Sequence, residues 1–194
     1  MPEIHEFSAD MSHPQAYIHT YTGLDFRMDD PVFSLVDIAH ALSQQVRWGG
    51  HCRVFYSVAE HSVIVSKLVP PEFALQGLFH DAPEAYIADM PAPWKPMVQG
   101  YEQLEDYLLE KICKWYDIPY PLDQSVKRAD WRALYLEAWV LIEGQGKGWI
   151  DPHNVRGEPL PNDPKVVGLN PPEAKELWLE RYEELCSAGV GLSE

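Results

Sequence analysis

Along most of this chain, apolar residues return every three or four positions, the spacing of a helix with one buried face. Ser34 opens the first such run: Leu35, Ile38, Ala39, Leu42 and Val46 fall on one side. Ser34 followed by Asp37 has the form of a capping box, so a helix is expected from Ser34 to about Val46, stopping near Gly49-Gly50. Val58, His61, Val65 and Leu68 repeat the spacing over a second helix, about Ser57 to Val69. Pro70-Pro71 ends it and opens a third, about Glu72 to Asp81. A short helical turn is expected around Glu84, and Met90-Pro91-Ala92-Pro93-Trp94-Lys95-Pro96 is incompatible with regular helix. Helical spacing resumes from about Tyr101 to Tyr116, from about Asp123 to Glu143, and from about Pro172 to Ser187. Gly144 to Asn170, rich in Gly and Pro, reads as a long loop of the kind that covers a site or a subunit surface. The first thirty or so residues read as extended or turn structure, with no convincing strand pair. The expected fold is all-α, a compact bundle of about five to seven helices.

The 194 residues, 46% hydrophobic, suffice for one domain with a sizeable core. No run of about 18 apolar residues is present, so no membrane span is expected. Met1 to Asp10 lacks a basic segment followed by an apolar one, which argues against a secretory signal. Cys52, Cys113 and Cys186 are odd in number and have no CxxC spacing; reduced thiols in a cytoplasmic protein are expected. The formal net charge of −15 disfavours nucleic-acid polymers and anionic membranes as partners. A small phosphorylated substrate remains compatible, because it needs only a local positive pocket. With 15 Lys and Arg in the whole chain, basic residues beside a motif carry more weight than usual.

The candidate chemistry centres on His80-Asp81. Adjacent helical residues diverge by about 100°, yet both reach one ion if a helix end faces it. A His nitrogen and a carboxylate oxygen suit a divalent transition metal of intermediate hardness. His61, in Ala59-Glu60-His61-Ser62, would stand opposite His80 if its helix pairs antiparallel with the next. Asp130, in Lys127-Arg128-Ala129-Asp130-Trp131, has apolar helical neighbours, and a core-facing acid is costly unless paired or metal-bound. Each has a plainer reading: a helical His is more often packing or surface, a lone His-Asp dipeptide is a weak signal, and Asp130 has Lys127 and Arg128 as nearby cations. Four such ligands would leave coordination positions open for water and a phosphate oxygen, the mark of a catalytic rather than a structural metal.

Arg47-Trp48, Ala59-Glu60-His61-Ser62, His80-Asp81-Ala82-Pro83-Glu84, Asp89-Met90-Pro91-Ala92-Pro93-Trp94-Lys95 and Ala129-Asp130 follow one another in this order. The series resembles the small 5′-deoxynucleotidases of the HD-domain phosphohydrolase superfamily and the compact dATP triphosphohydrolases of some phages. The likeness covers roughly Val36 to Glu143, and His80 to Lys95 is its most specific part. It implies a single HD domain over 1–194 holding one divalent transition metal per subunit (cobalt, manganese, zinc or magnesium).

The resemblance implies a role for each matching residue. His61, His80, Asp81 and Asp130 match the metal ligands. Glu84 matches the acid that handles the attacking water; it lies four residues after His80 and shares its face if the helix continues past Pro83. Asp89 matches a second acid near the scissile phosphate. The plainer readings are a solvated acid for Glu84 and a turn residue before Pro91 for Asp89. Arg47 and Lys95 match phosphate-binding cations, and Trp48 the residue that packs on the sugar and disfavours a 2′-hydroxyl. The chain departs from the pattern where Gly49-Gly50, His51 and Arg53 follow Arg47-Trp48, with a slightly shortened spacing to His61. His51 is a candidate phosphate contact or a plain loop residue, and Pro93 a candidate lining of the base pocket.

The implied activity is hydrolysis of a 2′-deoxynucleotide, either a monophosphate cleaved to nucleoside and phosphate or a triphosphate such as dATP. Alternatives are a (p)ppGpp or cyclic-nucleotide HD hydrolase, whose likeness does not extend over Arg47-Trp48 and the Asp89-to-Lys95 turn, and a non-catalytic nucleotide-binding HD domain. By the same resemblance the chain is expected to form a homo-oligomer, a dimer or larger.

Overall fold

A computed structural model describes residues 17–189. The expectation about a secretory signal at Met1 to Asp10 falls outside these residues. The described chain is mostly helical, as the periodicity predicts. Its α-helices are α1 (Leu35–Gln44), α2 (Val58–Leu68), α3 (Ala74–Phe79), the single turn α4 (Glu84–Ile87), α5 (Tyr101–Trp115), α6 (Gln124–Leu141) and α7 (Pro171–Ser187). None of the described helices is long and apolar enough to cross a membrane.

One expectation fails at the start of the described chain. Instead of unpaired extended structure, β1 (Tyr17–His19) and β2 (Asp25–Arg27) form a small antiparallel hairpin, with Ile18 opposite Phe26. Only three residues pair on each side, too few for alternation to stand out in the sequence. Phe26 anchors the hairpin in the core, stacked on Tyr86 at 4.0 Å.

The capping box at Ser34 is half present. The Ser34 hydroxyl accepts from the Asp37 N–H, but the Asp37 carboxylate accepts from the Thr22 N–H and hydroxyl, both at 2.7 Å. Asp37 thus ties the hairpin turn to α1 rather than closing the cap.

Helix α2 lies at the centre, packed against α1, α3, α6 and α7. Val58 to Ser66 are all buried, so this helix is enclosed on every side. Ser57 caps its start by accepting from the Glu60 N–H, and Pro70 follows its end. The expected third helix is interrupted: a 3-10 turn over Pro71–Phe73 precedes α3, and α3 stops at Phe79. Gly77 lets α3 close on α2, because a Cβ there would meet the Ser66 backbone at 3.0 Å. That approach brings the end of α3 beside His61.

The segment from Gly144 to the N-cap Asn170 holds no helix or strand, as its composition predicts. It is nonetheless tied down. Arg132 of α6 donates to the carbonyls of Val155, Gly157 and Glu158 and pairs with Asp163. Glu60 of α2 accepts from the N–H groups of Val167, Gly168 and Leu169.

Candidate metal centre

Three elements converge at the α2–α3–α6 contact. α2 contributes His61, the turn after α3 contributes His80 and Asp81, and α6 contributes Asp130. His61, His80 and Asp130 each offer one ligand atom within 4.8 Å of the others. The two imidazole Nε2 atoms are 3.2 Å apart. Asp81 Oδ2 lies 3.4 Å from His61 Nε2 and 3.2 Å from His80 Nε2, and Asp130 Oδ1 lies 3.2 and 3.9 Å from the same atoms.

The tautomers follow from the outer contacts. His80 Nδ1 is 2.8 Å from the Gly77 carbonyl, an acceptor only, so Nδ1 carries the hydrogen. His61 Nδ1 is 2.5 Å from Glu137 Oε1. Burial opposes ionisation of Glu137, but Arg47 and His61 outweigh it and hold the acid below its ordinary range. An ionised carboxylate only accepts, so His61 Nδ1 also donates. Both Nε2 atoms then turn lone pairs towards each other at 3.2 Å, an arrangement that requires a cation between or beside them. A proton on His61 Nε2 answers this: burial and Arg47 lower the His61 pKa, yet Glu137 and Asp130 drive it to about 10. A divalent ion would answer it as well, since nitrogens about 2.1 Å from a common ion sit roughly 3 Å apart. Donors of two imidazoles and two carboxylates, each imidazole oriented by a hydrogen bond from its other nitrogen, fit such an ion.

The two acids are stabilised in their charged forms by the same imidazoles. Despite burial, which raises it, Asp81 is held well below the carboxylate range by His80, His61 and Arg47. Asp130 is also lowered, burial being outweighed by His61 and His80. Asp130 does not face the core; its side chain is 38% exposed, and its ion pairs among the described residues are with His61 and His80 rather than Lys127 or Arg128. Lys127 and Arg128 are exposed.

Around this cluster stand the other residues singled out from the sequence. Arg47 is half-buried, its side chain 12% exposed, with Nε 3.3 Å from Glu137 and Nη1 3.4 Å from Asp81. Glu84 does not share a continuous helix with His80, because residues 80–83 form a turn before α4. Nor is it a solvated acid: it is 2% exposed, and its Oε2 is buried with no hydrogen-bond partner. Burial, then Asp81 and Asp89, push its pKa well up. Burial likewise raises Asp89, against Arg47. Lys95 bridges Glu84 at 3.4 Å and Glu105 at 2.6 Å. Trp48 sits at φ 62°, stacked on Trp149 of the long loop at 5.4 Å, with its indole N–H buried and unpartnered. His51 is exposed and makes no side-chain hydrogen bond or ion pair among the described residues. Pro93 is exposed in the Pro-rich turn.

Several participants escaped the sequence reading. Glu137 lies seven residues after Asp130, two turns along α6 and so on nearly the same face. An acid in Leu136-Glu137-Ala138 carries the same signal that marked Asp130. Tyr56, whose hydroxyl donates to Glu137 at 3.0 Å, and Glu105 carry no such signal. All three cysteines are free thiols, and none belongs to the cluster.

No family model matches the chain. Two uncharacterized proteins resemble it along most of their length. YfdR of Escherichia coli is 37% identical over 175 residues, which cover 88% of this chain and 96% of YfdR. RCAP_rcc00048 of Rhodobacter capsulatus is 32% identical over 172 residues, 80% of this chain and 86% of that protein. At this identity and coverage, the chain belongs to the family of YfdR and RCAP_rcc00048.

Proposed function

We propose that this protein is a metal-dependent phosphohydrolase of the HD type, acting on 2′-deoxynucleotides. The observation that carries the reading is the pair of imidazole Nε2 atoms facing each other at 3.2 Å beside the Asp81 and Asp130 carboxylates. Arg47, Glu84, Asp89 and Lys95 stand around that cluster in the order that the resemblance implies.

His61, His80, Asp81 and Asp130 would hold the ion. When bound, a divalent cation supplies a Lewis acid that lowers the pKa of water and neutralises phosphoryl charge. The guanidinium of Arg47 engages Glu137 through Nε and Asp81 through Nη1, leaving donors for phosphate oxygens. Lys95 adds a second cation at the edge of the cluster. As one P–O bond forms to water and one breaks, water gives up a proton and the leaving oxygen accepts one. Glu84 and Asp89 are the groups for these transfers. Burial raises both pKa values and so favours their protonated, proton-donating forms.

The test is a nucleotide panel offered to protein loaded with cobalt, manganese, zinc or magnesium. It spans deoxy and ribo forms, mono- to triphosphates and four bases, with products resolved by chromatography. Deoxynucleotide turnover that disappears in His80→Ala is the expected result. Turnover retained by His80→Ala would sink the metal assignment, and silence across the panel would sink the enzyme reading. Trp48→Ala is expected to relax discrimination against ribonucleotides; an unchanged deoxy preference removes Trp48 from sugar recognition.

A further inference from the structure

Glu84 and Asp89 sit on opposite ends of one short segment, and that segment is held in an unusual way. Ala88, between them, has φ 67° and ψ 153°, a region that glycine occupies almost alone. A non-glycine residue stays there only where its surroundings impose it. Two side chains do so here. Gln45 donates its amide Nε2–H to the Glu84 carbonyl at 2.7 Å, and its Oε1 accepts from the Asp89 N–H at 2.7 Å. Tyr101, at the start of α5, donates its hydroxyl to the Ala88 carbonyl at 2.6 Å.

The Gln45 backbone is itself fixed to the metal-ligand helix. Gln45 is the C-cap of α1, where its N–H donates to Ala41, and its carbonyl accepts from the Val58 N–H at the first turn of α2. One residue therefore links the helix that carries His61 to the segment that carries both acids. Its primary amide has a donor on one side and an acceptor on the other, and both are used. No hydrocarbon or ionised acidic side chain of that length reproduces the pair.

We propose that Gln45 is a positioning residue for the reaction: its amide clamps the Glu84–Asp89 segment against the strain at Ala88 and so sets both acids relative to the metal cluster. The inference rests on the phosphohydrolase reading for its catalytic half, while the clamp itself is a physical property of the chain. Gln45 is not among the residues that would hold the ion. Its effect reaches the chemistry through the placement of Glu84 and Asp89, and displacing such groups by about an ångström costs up to about a hundredfold in rate.

Gln45→Met keeps the length and removes both hydrogen bonds. The experiment measures amide hydrogen exchange and steady-state kinetics on the metal-loaded protein, well below its melting transition. Exchange of the Asp89 N–H is expected to accelerate about tenfold or more, while core amides of α2 keep their protection. kcat is expected to fall roughly 10- to 100-fold with KM little changed, the signature of lost transition-state placement rather than lost binding. Unchanged Asp89 exchange overturns the clamp. Accelerated exchange with wild-type kcat overturns the positioning role, since the contact is then merely structural. If the wild-type protein hydrolyses no nucleotide, the functional reading fails separately and takes the catalytic half with it; the exchange result alone then decides the clamp.

Discussion

Glu60 and Glu137 are both removed from water, at 1% and 0% exposure, and their surroundings have little in common. Glu60 accepts four hydrogen bonds from the consecutive backbone N–H groups of Val167, Gly168 and Leu169, at 2.7 to 3.2 Å. Glu137 is met by three side chains: His61, Tyr56 and Arg47. Glu60 fastens a long loop to the central helix, and its requirements are met by groups that take no part in chemistry. Glu137 orients an imidazole whose other nitrogen turns to the candidate metal site. A buried carboxylate therefore does not mark a functional site; the chemical freedom of its partners does.

Left-handed backbone occurs in both regions. The tether adopts a left-handed backbone at Gly168, at φ 83°, where a Cβ would meet Val54 Cγ2 at 2.7 Å and the Phe55 carbonyl at 3.0 Å. The same loop takes positive φ at the non-glycine residues Gln145 and Asn154, and the candidate site does so at Trp48 and Ala88.

The comparison is broken most forcefully at Glu137. Glu137→Gln removes the charge opposite Arg47 and buried His61, and a loss of about 3–5 kcal/mol is expected in denaturant unfolding. Metal affinity, followed by titration, is expected to drop about 10- to 100-fold; unchanged affinity would deny Glu137 its orienting role. Glu60→Ala provides the contrast. It orphans loop N–H groups at about 1–3 kcal/mol and hastens proteolysis between Gly144 and Asn170, while metal affinity stays at the wild-type value. A matching fall in affinity would show that the two acids belong to one unit. Ala88→Gly relieves the strain at the candidate site, and a gain of about 1 kcal/mol is expected in thermal unfolding. A loss of stability would mean that Ala88 is not strained.

The smallest effect concerns acid pH at the tether. Desolvation raises the Asp151 pKa, but the N–H groups of Arg156 and Val155 outweigh it and hold the acid below its ordinary value. A depressed carboxylate favours the folded loop above the unfolded value of about 4 and loses that contribution as pH falls through the lower folded value. Amide exchange at Val155 and Arg156 is expected to rise, relative to the rest of the chain, as pH drops below about 4. Asp151→Asn should abolish that pH dependence, and a mutant that retains it would place the titration elsewhere.

Much of the helical order was legible because helix formation and one-sided burial both write the same period into the sequence. α1, α2, α5, α6 and α7 lie close to where the apolar spacing puts them. The β1–β2 hairpin was not legible, because three paired residues per strand are too few to establish alternation. The break before Glu84 was legible, since a helix ending at about Asp81 and a separate helical turn around Glu84 were expected; α3 ends slightly earlier, at Phe79. At the candidate site, the residues in recognisable order were legible and their partners were not. Gln45, Tyr56 and Glu105 are ordinary in type and distant in sequence from what they hold.

By itself, the sequence determined which segments become helices, where the long loop falls, and which His and Asp residues are candidates for a metal site. Those properties depend on spacing along the chain, and spacing is what a sequence records. The tertiary structure decided the rest. It turned two Nε2 atoms to face each other, gave one buried acid to a loop and another to His61, and set Gln45 across Glu84 and Asp89. Each of these depends on groups as far as 109 positions apart meeting at hydrogen-bond distance. Only the packing of α2 against its neighbours brings them there.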